Sequence, residues 1–209
     1  MTIIRPEMLL AFDTSSAACT AALFDGGQCV ARRDEQIGRG HAERLVPMIA
    51  ELLDGRAPTQ ILVGVGPGSF TGIRVAIAAA HGLAIGWDAQ LSGMASLALL
   101  AAGIDGEGEI AVAVSGGHGE LFVQQFDAPA RAPLSEPRNL PPAEAASIVT
   151  APLVVGSGAR ILVDERGWGE AQEAWPSAAN ALRLADELRS LAPKPVYARA
   201  PDAKAREAA

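Results

Sequence analysis

The sequence has little of several residue types on which whole classes of protein depend. Its 209 residues include two cysteines, Cys19 and Cys29, whose spacing gives neither a disulfide framework nor a metal-ligand pattern. We predict that both are small buried residues. The longest apolar run, from Val75 to Ile85, is interrupted by His81 and falls short of the roughly 20 residues that cross a bilayer. Because no apolar leader core precedes the first strand pattern, we expect a cytoplasmic protein without membrane contact.

The shortage of basic residues argues against a protein that binds RNA by itself. The chain has 24 acidic and 17 basic residues, a net charge of −7, and the basic residues are scattered rather than clustered. Neutralising a phosphate backbone requires a basic surface. The chain is therefore not expected to hold RNA alone.

Common catalytic patterns are also missing. The three histidines, His41, His81 and His118, are 40 and 37 residues apart, and neither an H-x-x-x-H pattern nor a G-x-S-x-G elbow occurs. We therefore predict no catalytic residue and no metal ligand in this chain.

The hydrophobic pattern of the first half predicts an α/β lobe. Apolar runs at 8–14, 17–24 and 28–34 predict a three-stranded meander, with Asp25-Gly26-Gly27 as one of its turns. The pattern then predicts a helix over 41–54, a strand over 61–65, a long helix to about Gly86, a strand over 90–94 and a helix over 96–102. This mixture is typical of a layered α/β sheet.

A turn-rich stretch at 103–108 predicts a boundary between an N-terminal lobe, 1–104, and a smaller C-terminal lobe with its tail, 105–209. Beyond it the pattern begins again in abbreviated form. Strands at 109–114 and 120–126 are predicted to form a hairpin, and a proline-rich loop covers 129–142. A short helix (143–149), a strand (153–155) and a helix from Ser177 to Ser190 follow.

A glycine-rich turn, Gly66-Pro67-Gly68-Ser69-Phe70-Thr71-Gly72, joins the strand at 61–65 to the long helix. A helix N-terminus presents unpaired amides and a partial positive charge, so Gly66, Gly68 and Ser69 are candidate phosphate-binding residues, and Ser69 or Thr71 is predicted to cap the helix. The spacing is neither the Walker A pattern nor the dinucleotide G-x-G-x-x-G pattern. The alternative is a tight strand-to-helix turn in which glycine serves packing alone.

The end of the first strand is a second candidate phosphate site. There the hydroxyls and amides of Asp13, Thr14, Ser15 and Ser16 could hold phosphate oxygens, and Asp13 could hold magnesium through water. The alternative is an ordinary β-turn, in which these residue types are common.

Two helices carry more apolar residues than one core contact needs. Val46 and Leu53 widen the stripe of the helix at 41–54, and Arg74 and His81 are the only polar side chains between 73 and 85. We predict that both helices meet another protein, the alternative being burial within the monomer. The predicted interface residues are Leu45, Met48, Ile49, Leu52, Phe70, Ile73, Arg74, Ile77 and His81.

Four stretches together resemble the TsaB (YeaZ) family, in the family's order. They are Leu9-Leu10-Ala11-Phe12-Asp13-Thr14-Ser15-Ser16, His41-Ala42-Glu43-Arg44-Leu45-Val46-Pro47-Met48-Ile49, Gly66-Pro67-Gly68-Ser69-Phe70-Thr71-Gly72-Ile73-Arg74 and Pro195-Val196-Tyr197-Ala198-Arg199-Ala200-Pro201-Asp202-Ala203. The resemblance covers 8–102, returns at the C-terminus and is thin between 105 and 190.

The resemblance implies two RNase-H-like lobes of the actin, Hsp70 and sugar-kinase (ASKHA) superfamily. It implies a non-catalytic scaffold that dimerises with TsaD, the metal-bearing paralogue that transfers threonylcarbamoyl to N6 of adenosine 37 in tRNAs reading ANN codons. The helices at 41–53 and 69–85 are implied to pack on TsaD, or on a second copy when TsaD is absent, and the ATPase TsaE to join. No tightly bound cofactor is implied, and ATP or ADP is expected only in the complex with TsaD.

The sequence departs from the family at the second-lobe hairpin. Ser115-Gly116-Gly117-His118 stands where many members have an Asp-Ala-Arg stretch, and in kinase-like relatives an acidic residue there helps hold the metal and nucleotide. Two alternatives remain open. An ATP-dependent sugar-kinase-like phosphotransferase would use the two turns but needs a second carboxylate, and a metallopeptidase-like protein needs a bound metal.

Overall fold

The computed structural model describes residues 7–127 and 132–198. The first sheet and its helices comprise β1 (Met8–Asp13), β2 (Ala18–Asp25), β3 (Gln28–Gln36), α1 (His41–Leu53), β4 (Gln60–Gly64), α2 (Phe70–Trp87), β5 (Gln90–Met94) and α3 (Ser96–Ala102). The second part comprises β6 (Glu109–Ser115), a 3-10 turn (Gly117–Gly119), β7 (Leu121–Asp127), β8 (Ala132–Pro133), β9 (Arg138–Leu140), α4 (Pro142–Ile148), β10 (Leu153–Val155), α5 (Ala159–Arg166) and β11 (Glu170–Gln172). A 3-10 helix (Ala178–Arg183) and α6 (Asp186–Arg189) follow.

The first sheet has the strand order β3-β2-β1-β4-β5. The first three strands form an antiparallel meander, with Leu10 opposite Leu23, and β4 and β5 run parallel to β1. The predicted meander, helices and strands of this half are confirmed. We call this sheet with α1 and α2 the first lobe.

The second sheet repeats this plan, with much shorter strands on either side of the β6–β7 hairpin. Its order is β11-β10-β6-β7-β8, with β9 also paired to β7. The β6–β7 hairpin is antiparallel, whereas β10 and β11 run parallel to β6, as β4 and β5 do to β1. Its strands β9, β10 and β11 have three residues each. The predicted α/β class with an abbreviated second lobe is confirmed, and we call this sheet with α4 and α5 the second lobe.

Helix α3 lies between the two sheets. All seven of its residues are buried, and their hydrophobic cluster takes in Ala22 and Phe24 of the first sheet and Val112 and Phe122 of the second. A helix that is apolar on every side needs cover on every side. The chain thus stacks α1 and α2, the first sheet, α3, the second sheet, and α4 with α5.

The segment 177–198 returns to the first sheet. Ala178 N–H donates to Thr20 Oγ1 (2.7 Å), and Ser177 Oγ donates to Asp34 Oδ2 (2.9 Å). The prediction of one helix from Ser177 to Ser190 is wrong. These two hydrogen bonds and the burial of Ala178 and Ala181 hold residues 178–183 as a 3-10 helix, and residues 184 and 185 are extended. The domain boundary at 104/105 stays a prediction.

The predicted burial of both cysteines holds for Cys19 and is wrong for Cys29. Cys29 lies on β3, an edge strand of the first sheet most of whose residues are exposed. Burial, with a smaller contribution from the Glu35 charge, raises the pKa of Cys19 to about 11. Cys19 is therefore a core residue, and Cys29 is the accessible thiol.

Helix α2 is long and apolar enough, by length and composition, to cross a membrane. A single such helix is weak support for a membrane protein, because core helices meet the same criteria. Ile73, Ala76 and Ala80 of α2 lie in the core of the first lobe. The absence of membrane contact stays a prediction.

Candidate partner interface

Six of the nine predicted interface side chains lie inside the first lobe. Leu45, Met48, Ile49, Leu52, Ile73 and Ile77 are buried in one cluster with strand residues. The expectation that they form an exposed apolar surface is wrong. Residues such as Phe12 and Val63 project from the sheet on this side, and α1 and α2 together supply their cover.

The other three predicted residues lie on the exposed side of α2. Phe70, Arg74 and His81 are exposed, and Ile85 on the same side is 84% exposed. Residues 70, 74, 81 and 85 fall on one face of a helix. Sequence reasoning missed Ile85, although the helical period could have found it. This face, which we call the α2 outer face, is apolar with two basic or titratable groups, and α2 contains no acidic residue.

Tyr197 joins the N-terminal end of the α2 outer face. Its ring stacks on Phe70, with 5.3 Å between centroids and 29° between planes. Arg74 Cζ lies 3.6 Å from the Phe70 centroid, and Arg74 Nε donates to the Tyr197 hydroxyl (2.9 Å). Phe70 is 51% and Tyr197 41% exposed. The C-terminal motif is described as far as Ala198, and its residues 199–203 lie outside the described ranges.

The candidate phosphate residues at the end of β1 form a closed hydrogen-bond network. Asp13 is fully buried, and its Oδ1 accepts from the Ser15 N–H and hydroxyl (2.7 Å each). Its Oδ2 accepts from Ser96 Oγ (2.5 Å), which itself accepts from Gly66 N–H (2.9 Å). Sequence reasoning missed Ser96, which no local pattern links to Asp13. Ser16 Oγ accepts from Ala18 N–H.

The glycine-rich turn packs directly on this network. A Cβ at Gly68 would lie 2.2 Å from Ser15 O, and one at Gly72 would lie 1.9 Å from Thr14 O. Thr14 Oγ1 donates to Gly72 O (2.7 Å), and Ser69 N–H donates to Ser15 O (2.6 Å). Ser69 caps α2, as predicted, by accepting from Gly72 N–H. Glycine at 68 and 72 therefore serves close packing, and the Thr14, Ser15 and Ser69 donors bind groups of the chain. The two phosphate sites stay a prediction.

The hairpin of the second lobe places Ser115 where β1 has Asp13, at the end of the corresponding strand. Ser115 N–H donates to Ser157 Oγ (3.1 Å), and Ser115 Oγ donates to Ser157 O (3.2 Å). Within residues 7–127 and 132–198, no group of three or more His, Cys, Asp or Glu side chains could hold a metal ion.

Arg44 joins α1 to the edge strand β3 at the surface. Its guanidinium donates to Glu35 (2.6 and 2.7 Å) and to Glu51 (2.8 and 3.1 Å). These hydrogen bonds with Arg44 lower the pKa of Glu35 and of Glu51 and raise the pKa of Arg44. The cluster orients α1 on the sheet.

The chain is similar to proteins of one tRNA-modification pathway. Residues 34–131, just under half of the chain, match the family of TsaD, tRNA N6-adenosine threonylcarbamoyltransferase. The chain is 34% identical to a tRNA threonylcarbamoyladenosine biosynthesis protein TsaB of Escherichia coli over 56% of its own length, and 41% identical to the TsaB of Haemophilus influenzae over 44%. These matches span 54% and 41% of those relatives.

Solved structures extend the similarity across most of the chain. YeaZ from Pseudomonas aeruginosa has a TM-score of 0.74 at 29% identity, covering 91% of this chain and 99% of that one. A Pseudomonas aeruginosa protein described as similar to the peptidase YeaZ has a TM-score of 0.78 at 29% identity, covering 92% and 100%. Together with the ordered sequence motifs and the two repeated sheets, these matches confirm that the chain resembles the TsaB (YeaZ) family.

Proposed function

We propose that this chain acts in the biosynthesis of threonylcarbamoyladenosine in tRNA, as a non-catalytic subunit that binds a TsaD-type paralogue through the α2 outer face. Two relatives carry that pathway in their names, and part of the chain matches the family of the transferase itself. The product would be N6-threonylcarbamoylated adenosine 37 in ANN-decoding tRNAs.

One observation carries the docking part of this proposal. Ile85 is 84% exposed on a helix that also leaves Phe70 51% exposed, even though the Tyr197 ring stacks on Phe70. Exposed apolar side chains aligned on one helix face are typical of a protein–protein contact. Val46 on α1 is a further exposed apolar residue.

The proposal assigns the chemistry to the partner. The buried Asp13 carboxylate bonds to Ser15 and Ser96, and the second-lobe hairpin has Ser115 in place of a carboxylate. ATP or ADP would bind only when TsaD is present. TsaE would join the same assembly, a second copy of this chain would occupy the α2 outer face when TsaD is absent, and tRNA would be held by the complex in the cytoplasm.

The test is the affinity of the purified chain for the TsaD-type paralogue of the same organism, measured by isothermal titration calorimetry. Ile85→Asp places a charge in the proposed contact and is expected to weaken binding about 100-fold or more. Ile161→Asp is the matched control, because Ile161 is 46% exposed on α5 of the second lobe. Charges at Ile73 or Ile77 would test folding instead, since both are buried.

No binding by the wild-type chain, or equal binding by wild type and Ile85→Asp, would refute the proposed interface.

A further inference from the structure

The exposed cluster of Phe70, Arg74 and Tyr197 brings together residues far apart in the chain. Phe70 and Arg74 belong to the first turns of α2, and Tyr197 is 123 residues from Arg74. Arg74 Cζ lies 3.6 Å from the centroid of Phe70 and 5.9 Å from that of Tyr197. The Arg74 guanidinium thus packs on the face of the Phe70 ring and donates a hydrogen bond to the Tyr197 hydroxyl.

The segment that carries Tyr197 is attached to the first lobe by its backbone. Gly93 and Leu191 form an antiparallel bridge (2.7 and 3.0 Å), and Val196 N–H donates to Val65 O (2.8 Å). A Cβ at Gly66 would lie 2.7 Å from Val196 O, and one at Gly93 would lie 2.9 Å from Ala192 O. Gly66 and Gly93 therefore have no room for a side chain where this segment packs against them. The segment is an integral part of the first lobe.

The charge around Arg74 indicates what this cluster could bind. Among the described residues no carboxylate pairs with Arg74, and α2 contains no acidic residue although the whole chain has a net charge of −7. The Nε donates to Tyr197, and a planar guanidinium has further donors for a carboxylate. Arginine and tyrosine are enriched among the residues that dominate binding energy at interfaces.

We propose that Tyr197 is a positioning residue of the partner surface, holding Phe70 and Arg74 in the orientation that receives a carboxylate flanked by apolar side chains on the partner. This inference rests on the proposed function and specifies the chemistry of its docking surface. An exposed arginine otherwise samples many rotamers, and fixing it before association lowers the entropic cost of binding.

The test compares Tyr197→Ala, Tyr197→Phe and Arg74→Lys in binding to the TsaD-type paralogue by calorimetry, at low and at high salt. Tyr197→Ala loses ring and hydroxyl and is expected to weaken binding about tenfold. Tyr197→Phe keeps the stack and is expected to recover most of that loss. Arg74→Lys keeps the charge but loses the Nε donor and the plane, and is expected to weaken binding about fivefold. The salt dependence of Kd should fall in Tyr197→Ala, because the carboxylate contact is impaired.

Trp168→Ala is the matched control, since Trp168 is 48% exposed and stacks with Arg166 (3.8 Å) in the second lobe. Thermal unfolding establishes that each variant is folded, and if Tyr197→Ala is not, Arg74→Lys decides. Wild-type affinity and salt dependence in the folded Tyr197→Ala and Arg74→Lys variants, or an equal loss in Trp168→Ala, would overturn the inference. Failure of the wild-type chain to bind would instead refute the proposed function on which it rests.

Discussion

The hydroxyl of Ser96 donates a 2.5 Å hydrogen bond to Oδ2 of the buried Asp13 side chain. The same hydroxyl accepts from the Gly66 N–H, so α3, β1 and the glycine-rich turn meet at one oxygen atom. A carboxylate without exposure to water needs such donors, because an unpaired buried charge is costly. The arrangement makes Asp13 part of the framework of the first lobe.

Ser96→Ala is therefore expected to lower the free energy of unfolding by about 2 kcal/mol, because it leaves a carboxylate oxygen and a backbone N–H without their partner. Urea denaturation measures this loss. Ser147→Ala, at an exposed serine of α4, is the control and should change stability by less than about 0.5 kcal/mol. Equal stability of the two variants would show that Asp13 does not depend on Ser96.

Two glycines of α2 should respond oppositely to the same change. In Gly72→Ala the new Cβ would lie 1.9 Å from Thr14 O, whereas at Gly82 nothing lies within 4 Å. Gly72→Ala is expected to cost about 3 kcal/mol through overpacking. Gly82→Ala should stabilise the chain by up to about 1 kcal/mol, because alanine has the higher helix propensity.

Urea denaturation measures both changes. The midpoints of the variants and of wild type are compared, provided that the free energy of unfolding depends on urea concentration with the same slope in each. A neutral Gly72→Ala would contradict the close packing of the glycine-rich turn on Thr14.

The hydrogen bonds of Arg44 with Glu35 and Glu51 should make the free energy of unfolding depend on pH in the acid range. The pKa of Glu35 and of Glu51 is lowered from the ordinary value of 4.5 by Arg44, so the two carboxylates stabilise the fold above that value. This contribution is lost as the pH falls through the lowered pKa values. Arg44→Gln is expected to lose less stability than wild type between neutral pH and pH of about 3.

Urea midpoints measured across that pH range give the comparison. Arg160→Gln, which removes an exposed pair with Asp164, is the control and should keep the acid dependence of wild type. If the curves of Arg44→Gln and wild type are parallel, the cluster does not contribute.

The two thiols should differ in reactivity. The exposed Cys29 is expected to be alkylated by iodoacetamide in the native chain at pH 8, whereas Cys19 is buried and its pKa is raised to about 11. Mass spectrometry should detect one modified residue until denaturant is added, and Cys29→Ser should then show none. Rapid native modification of Cys19 would contradict its burial.

Features fixed by local pattern could be predicted from the sequence. The meander and α1 follow from apolar residues at period two and at helical spacing, and the burial of Leu45 and Met48 is consistent with that spacing. The same pattern cannot tell which apolar side chains of a helix face its own sheet. For this reason six side chains, Leu45 and Met48 as well as Ile49, Leu52, Ile73 and Ile77, are predicted for a partner surface although the first lobe buries them.

Features fixed by tertiary contact could not be predicted. The strands β8 and β9 are two and three residues long within a proline-rich stretch, and α5 carries four charged residues, so neither gives a clear period. The contact between Tyr197 and Arg74 depends on a segment that crosses back to the first lobe. The C-terminal motif drew attention to Tyr197, but no spacing could place it beside α2.

Formation of threonylcarbamoyladenosine in a reconstituted mixture tests the account most directly. The mixture would contain the TsaD-type paralogue, the threonylcarbamoyl adenylate and an ANN-decoding tRNA, and the modified nucleoside would be measured by mass spectrometry. We expect little product without this chain, full product with wild type and with Ile161→Asp, and a loss with Ile85→Asp that matches its lost affinity. Full product with an Ile85→Asp chain that no longer binds, or equal product without any chain, would contradict the account.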